Sequence, residues 1–177
     1  MLSNLRMYGQ QKVGVVERVL VVGAGAIGLL SAYMLAQAGA SVVVLDAGES
    51  GRESSWAGGG IVSPLYPWRY SAAVTSLAHW SQDFYPQLGQ RLLGQTGLDP
   101  EVHVTGLYWL DLDDQDQALA WAQRLQRPLE AVDMQQVREQ VPVLGAGFER
   151  AIYMSGVANV RNPRLVKSLR LALQAMP

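Results

Sequence analysis

The feature that most constrains this chain is the glycine pattern Gly-Ala-Gly-Ala-Ile-Gly at residues 23–28. The preceding residues 18–22 form an apolar, β-branched run without polar alternation, which is typical of a strand buried on both faces of a parallel sheet. Residues 27–38 favour a helix, and residues 41–45 predict a second buried strand that ends at Asp46. The sequence therefore predicts a right-handed βαβ unit.

The pattern matches G-x-G-x-x-G in the setting that a dinucleotide fingerprint requires, after a strand and at the start of a helix. Gly23 allows a tight turn, Gly25 lets the backbone approach a pyrophosphate, and Gly28 lets the helix pack closely on the strand. The N–H groups at the helix start favour phosphates, and Asp46 can accept hydrogen bonds from ribose hydroxyls. The candidate cofactor-binding residues in this unit are Gly23, Gly25, Ala26, Ile27, Gly28, Asp46 and Ala47.

The fingerprint alone leaves the cofactor open between FAD and NAD, because both place a pyrophosphate on this turn. Asp46 disfavours NADP, since a carboxylate repels a 2′-phosphate. Two alternatives therefore stay open at this point, an NAD-dependent dehydrogenase and a non-catalytic nucleotide-binding module.

Charge and composition exclude several other classes. A net charge of −1 argues against a nucleic-acid binder, which usually carries a basic face. The sequence has no cysteine, which excludes disulfides, thiolate zinc sites and iron–sulfur clusters and fits a reducing compartment, so we expect a cytoplasmic protein. Residues 19–45 carry no charge, but glycines and polar residues interrupt them, so we predict no membrane span. The only histidines, His79 and His103, lack a carboxylate cluster, so we predict structural roles and no metal site.

The rest of the chain alternates between short strands and helices. Residues 48–60 predict a glycine- and serine-rich loop in which Trp56 packs against the protein, and Pro86 predicts a kink or break in the long helix. The apolar positions of the first helix predict a buried face formed by Ile27, Leu30, Met34 and Ala38. The other predicted elements are a helix at 71–96, a strand at 102–110, helices at 113–126 and 134–140, a strand at 151–154, and a helix at 163–175 with Asn162 as its N-cap.

Residues 46–61, Asp-Ala-Gly-Glu-Ser-Gly-Arg-Glu-Ser-Ser-Trp-Ala-Gly-Gly-Gly-Ile, resemble the flavin loop of the D-amino acid oxidase and glycine oxidase family. Residues 63–70, 106–110 and 159–165 are also similar to that family, with the closest resemblance to its bacterial thiamine-pathway glycine oxidases. The resemblance implies FAD as the cofactor, with two serines near its phosphates or ribityl chain and a small-residue segment beside its isoalloxazine ring. These residues are Ser54, Ser55, Ala57, Gly58 and Gly59.

The resemblance implies an α/β fold. A Rossmann-like FAD-binding domain, with a parallel sheet and a βαβ dinucleotide fold, is joined to part of an α+β substrate domain. We expect residues 1–17 to be a disordered leader. Residues 18–75 and 151–177 are assigned to an incomplete FAD-binding domain, and residues 76–150 to part of the substrate or cap domain.

The activity implied by the resemblance is oxidation of glycine, a small D-amino acid or a secondary amine to the imine. Hydride passes to the flavin, oxygen is reduced to hydrogen peroxide, and the pathway is thiamine biosynthesis. Family members are much longer, and no position here matches the arginine and tyrosine that hold their substrate. We therefore expect an N-terminal portion that is inactive alone, with exposed apolar surface, weakened FAD binding and a tendency to aggregate. The resemblance leaves a homo-oligomer open for the intact protein.

Overall fold

The computed structural model describes residues 18–176, so the leader predicted at residues 1–17 lies outside the described residues. Strands and helices alternate along most of this part of the chain, which also has one 3-10 turn at Pro67–Arg69; the exceptions are two pairs of consecutive strands, within residues 103–110 and 151–159. The strands are β1 (Arg18–Val22), β2 (Ser41–Leu45), β3 (Ile61–Val62), β4 (His103–Val104), β5 (Leu107–Leu110), β6 (Leu129–Val132), β7 (Ala151–Met154) and β8 (Ala158–Asn159). The helices are α1 (Ala26–Gln37), α2 (Ser54–Ala57), α3 (Ala72–Thr96), α4 (Gln115–Leu125), α5 (Met134–Gln140) and α6 (Asn162–Gln174).

The predicted βαβ unit is confirmed. Strands β1 and β2 pair in parallel, in a register that runs from Arg18 opposite Ser41 to Val22 opposite Leu45. Helix α1 connects them, and Gly39 follows the helix at a φ of +94°. That left-handed conformation favours glycine and lets the chain turn back into β2. The α/β class predicted from the sequence is confirmed by this unit.

The prediction that β1 and β2 are buried on both faces is wrong for the described residues. Their side chains alternate, with Val19 and Val21 half-buried while Leu20 is 58% exposed and Val22 80% exposed. Within residues 18–176, helix α1 packs on one face of this two-stranded sheet, and the other face stays exposed. The exposed face is the apolar surface that the sequence predicts.

The buried face of α1 also differs from the prediction. Its buried residues are Leu29, Ala32 and Tyr33, whereas Ile27 is 79% exposed. Helix α6 lies along α1, so the side of α1 that is buried is set by a helix more than one hundred residues away. The Tyr33 hydroxyl is satisfied in this core because it donates to the Gln95 side chain at 2.8 Å.

The first core lies where α1, α3 and α6 meet. Leu88 and Leu92 of α3 and Leu165 and Leu169 of α6 are fully or almost fully buried there. Helix α3 runs as one element through Pro86, so the break predicted at that proline does not end the helix. It begins after Ser71, whose hydroxyl accepts from the backbone N–H of Val74.

Two small antiparallel sheets complete the fold, with strand orders β3-β8-β4 and β5-β7-β6. The strand predicted at 102–110 divides into β4 and β5 because Gly106 adopts a φ of +74°, and the Tyr153 ring fills the space where a Cβ would lie. A second core against β5 and β7 is rich in tryptophan, with Trp68 packed edge-on to Trp109 at 5.3 Å. Strands β3, β6 and β8 were not predicted.

Two local assignments need correction. Helix α2 lies inside the stretch predicted to be a loop, at Ser54–Ala57. The N-cap of α6 is Arg161, and Asn162 is the first helical residue, so the predicted Asn162 cap is wrong.

Elements assigned to the two predicted domains are in contact, because β7 pairs with β5 and β6, and α3 packs against α6. The division into two domains stays a prediction.

Within residues 18–176, no helix combines the length and the apolar character needed to cross a bilayer.

Candidate cofactor-binding site

The glycine turn connects the end of β1 to the start of α1. Gly23 has a φ of +105°, a left-handed conformation that favours glycine, and its N–H donates to the Leu45 carbonyl at 2.7 Å. A Cβ at Gly28 would collide with the Gly23 carbonyl oxygen, so the first turn of α1 packs directly on the loop. The local conformation is therefore the one that the glycine spacing predicts.

Asp46 ties the end of β2 to this turn. Its carboxylate accepts hydrogen bonds from the backbone N–H of Ala24 at 2.6 Å and of Gly48 at 2.9 Å. These two bonds hold the pKa of Asp46 below its ordinary value, so the side chain is ionised at neutral pH. Each carboxylate oxygen keeps a lone pair, and the side chain is exposed, so it can also accept from a ligand hydroxyl.

Ser55 reaches the same turn from α2. Its hydroxyl oxygen accepts a hydrogen bond of 2.9 Å from the backbone N–H of Ala26, in the first turn of α1. A Cβ at Gly25 would lie 2.9 Å from that oxygen, so glycine leaves the room that the serine needs. The Ser55 hydroxyl oxygen thus accepts a hydrogen bond at the N-terminus of α1, where the free N–H groups and the helix dipole favour a phosphate.

The other predicted site residues follow the same path along the surface. Gly58, in the glycine segment after α2, lies against Asn162 of α6, whose side chain fills the space of a Cβ. The remaining predicted residues are accessible to solvent, at the first turn of α1, after β2, and in and after α2; they are Ile27, Ala47, Ser54, Ala57 and Gly59.

A cavity of about 540 Å³ opens beside the glycine segment. Residues 58–60 and β3 form one side, and Ser81 and Tyr85 of α3 line the other. Burial raises the pKa of Tyr85, so its phenol stays protonated at neutral pH. The cavity is large enough for a flat aromatic ring system and presents backbone and hydroxyl groups to it. The residues present therefore fit FAD, because the N-terminus of α1 can accept a phosphate and the cavity can accept a flat ring.

Sequence reasoning missed residues that contact the turn or the cavity but lie far from the fingerprint along the chain. The Ser50 hydroxyl donates to the Ala24 carbonyl at 3.0 Å, and Asn162 and Tyr85 come from helices far along the chain. Only tertiary packing brings these residues to the site. Trp56 corrects a further expectation, because its ring is 46% exposed and is covered on one side by Arg52, whose guanidinium carbon lies 4.4 Å from the ring centroid.

The sequence profile described as "DAO: FAD dependent oxidoreductase" matches residues 18–176, which is nearly the whole chain. The chain belongs to this family. It is 72% identical to a glycine oxidase of Pseudomonas putida over 161 residues, which cover 91% of this chain and 44% of that protein. A glycine oxidase of Pseudomonas aeruginosa is also 72% identical, over 89% of this chain and 43% of its own length.

The fold agrees with solved members of the family. The chain superposes on the glycine oxidase of Geobacillus kaustophilus with a TM-score of 0.81 at 24% identity, covering 90% of this chain and 45% of that one. The chain thus spans less than half the length of the relatives it matches, as the sequence comparison with longer family members leads us to expect. Family membership makes FAD the cofactor and does not support the nicotinamide alternative.

No catalytic residue was predicted in this chain, and the described part offers no metal centre. Among residues 18–176, no three side chains of the metal-binding types come together. His79 instead packs against Trp121, with 5.9 Å between the ring centroids, and His103 lies exposed in β4.

Proposed function

We propose that the chain forms the FAD-binding part of an amino acid oxidase that acts on glycine, a small D-amino acid or a secondary amine. The observation that carries the proposal is the convergence of Asp46 and Ser55 on the glycine turn, in the same loop whose residues 58–60 line the cavity. The substrate class is supported by the high identity to two glycine oxidases. The same likeness supports the proposed products, an imine and hydrogen peroxide, and a role in the thiamine pathway.

The residues of this chain hold the cofactor in a fixed order along the loop. The backbone N–H of Ile27 binds the pyrophosphate, and that of Ala26, which donates to Ser55, shares its hydrogen with the pyrophosphate. Asp46 accepts from the adenosine ribose. Ser54 and Ser55 donate to the phosphates or ribityl chain. Ala57, Gly58 and Gly59 contact the ring with their backbone.

Bound FAD supplies an acceptor for the hydride that leaves the α-carbon of the amine, and oxygen is the final oxidant. The protein's own contribution is to orient the ring and to place N–H donors beside it, where they stabilise negative charge. Tyr85 and Ser81 line the far side of the cavity. Since the sequence contains no cysteine, we also propose a reducing compartment, the cytoplasm, for the reaction.

A visible absorption spectrum of the purified chain tests the cofactor proposal. The spectrum is recorded before and after adding FAD and removing the excess, and NADH fluorescence is measured in parallel. We expect flavin bands that survive desalting, no change in NADH fluorescence, and no bleaching on addition of glycine. A colourless protein that takes up neither cofactor contradicts the proposal and favours a non-catalytic fragment.

The substrate proposal needs a separate measurement. A longer chain that extends to the length of the relatives is tested for peroxide formation with glycine, sarcosine and D-alanine. Peroxide release with at least one of these substrates supports an oxidase. Flavin bleaching by these substrates without peroxide would identify a dehydrogenase that passes electrons elsewhere.

A further inference from the structure

A second cavity, of about 390 Å³, lies beside the fingerprint at the Asp46 end of the site. Asp46, Gly48 and Ser50 line one side, and Arg170 and Gln174 of α6 line the other. Of these residues, the proposed function uses Asp46 only. The second set comes from a helix that the fingerprint does not predict.

Packing fixes the position of α6 at this cavity. Gly51 has a φ of +73°, and a Cβ there would collide with the side chain of Val166. The loop after β2 and helix α6 are therefore in direct contact. Arg170 lies four residues after Val166, on the same side of the helix, which brings it next to the loop. Its place opposite Asp46 follows from the contact at Gly51.

The Arg170 side chain lacks a partner for one buried donor. Its Nε atom is inaccessible to solvent and meets no acceptor among residues 18–176. In contrast, Arg161 at the N-cap of the same helix and Arg164 within it lie 3.3 Å and 3.0 Å from a Glu101 carboxylate oxygen. Buried N–H donors are nearly always satisfied in folded proteins, because leaving one unpaired is costly. Arg170 also lines the open cavity, so a rotation of its side chain toward the cavity would let a ligand oxygen satisfy this donor.

The two sides of the cavity have complementary hydrogen-bonding chemistry. The Asp46 carboxylate only accepts hydrogen bonds, and the Arg170 guanidinium only donates them. A ribose diol does both, since each hydroxyl is a donor and an acceptor. We propose that Arg170 is a binding residue for the adenosine ribose of the dinucleotide and works opposite Asp46. This inference rests on the proposed function and adds a residue from α6 to the site.

Titration calorimetry of the whole chain with ADP and with 2′,3′-dideoxy-ADP tests the inference. Arg170→Met should weaken ADP binding about tenfold or more, the range expected for a hydrogen bond with a charged donor. Binding of the dideoxy nucleotide should change little, because the diol is absent. Lys167→Met is the matched control, since it removes the same charge from an exposed position one turn earlier and should leave the ADP affinity within about twofold.

Arg170→Lys keeps the positive charge and an aliphatic side chain. It serves as a second variant in case Arg170→Met misfolds, and a thermal melt detects such misfolding. It should weaken ADP binding less than Arg170→Met does. If both Arg170 variants fold and bind ADP like the unmodified chain, or lose the dideoxy nucleotide equally, the inference is wrong while the proposed function stands. If the unmodified chain binds neither FAD nor ADP, the proposed function fails, and the inference fails with it.

Discussion

The carboxylate of Asp46 accepts a 2.6 Å hydrogen bond from the backbone N–H of Ala24, which ties the end of β2 to the glycine turn. Ser55 adds a second tie at Ala26, at 2.9 Å. The turn is therefore held in shape by the protein's own side chains. A preorganised turn lowers the ordering cost of binding a dinucleotide. The same two side chains can then share their hydrogen bonds with the ligand.

Replacing Asp46 tests this tie. Asp46→Asn keeps the size of the side chain but removes its charge, so the acceptor for Ala24 and for a ribose hydroxyl is weaker. We expect the Kd for FAD to rise about tenfold, measured by flavin fluorescence titration. Asp46→Glu, which keeps the charge, should retain more affinity than Asp46→Asn. Equal losses in both variants would show that charge at this position is not what matters.

The pH dependence of stability gives an independent test of the same carboxylate. Because the pKa of Asp46 is lowered in the folded chain, its stabilising contribution is present above the unfolded pKa of about 4. That contribution is lost as the pH falls through the lowered folded value. The unmodified chain should therefore lose more stability than Asp46→Asn over this acidic window, in chemical denaturation at a series of pH values. Parallel curves for the two proteins would contradict the assignment.

Two glycine substitutions should have opposite effects. Gly28→Ala places a Cβ against the Gly23 carbonyl and should destabilise the fold by about 1–3 kcal/mol. Gly94→Ala lies in open space within α3 and should stabilise it by about 0.5–1 kcal/mol, because alanine favours the helix. Thermal and urea unfolding measure both. A neutral Gly28→Ala would mean that the turn and helix are not in close contact.

The lowered pKa of His79 predicts a second effect of pH on stability. Burial and the nearby Arg127 hold the pKa of His79 below its ordinary value, although Asp83 acts in the opposite direction. The unfolded chain binds this proton more tightly, so stability should fall as the pH drops below about 6.5 and should not respond to His79 above that value. His79→Gln should flatten this part of the curve. His103→Gln, at an exposed strand position, is the matched control and should leave the His79 effect in place.

The exposed face of the β1–β2 sheet should drive self-association. Leu20 and Val43 are cross-strand partners there, and both are more than half exposed. Replacing both with threonine should raise the monomer fraction on a sizing column with little change in Tm. The pair Val19 and Val42, on the half-buried face, is the control, and the same change there should lower Tm. If the double variant at Leu20 and Val43 self-associates as much as the unmodified chain, another surface drives the association.

Sequence reasoning succeeded where neighbouring residues decide the structure. The strand, turn and helix at residues 18–37 follow from a β-branched run and three spaced glycines, and the positive φ of Gly23 is a local property of its backbone. Asp46 could be chosen because it ends the next strand. The resemblance of residues 46–61 then predicted the family that the profile match shows.

Contacts between segments that are distant along the chain could not be predicted from the sequence. Which side of α1 is buried depends on α6, and the short strands β3 and β8 pair with each other across almost one hundred residues. Strand β6 carries no alternation of its own and is recruited by β7. Such pairings depend on the fold of the whole chain, because strands of two to four residues have too little local preference to be recognised.

By itself, the sequence determined the βαβ unit, the glycine turn and the acidic residue that faces it, since these follow from local sterics and from spacing. The tertiary structure alone decided that Ser55 reaches the N-terminus of α1 and that Arg170 lies opposite Asp46. The physical reason is that a side chain's partner depends on where its helix packs. That packing results from apolar burial shared among α1, α3 and α6, which no single segment encodes.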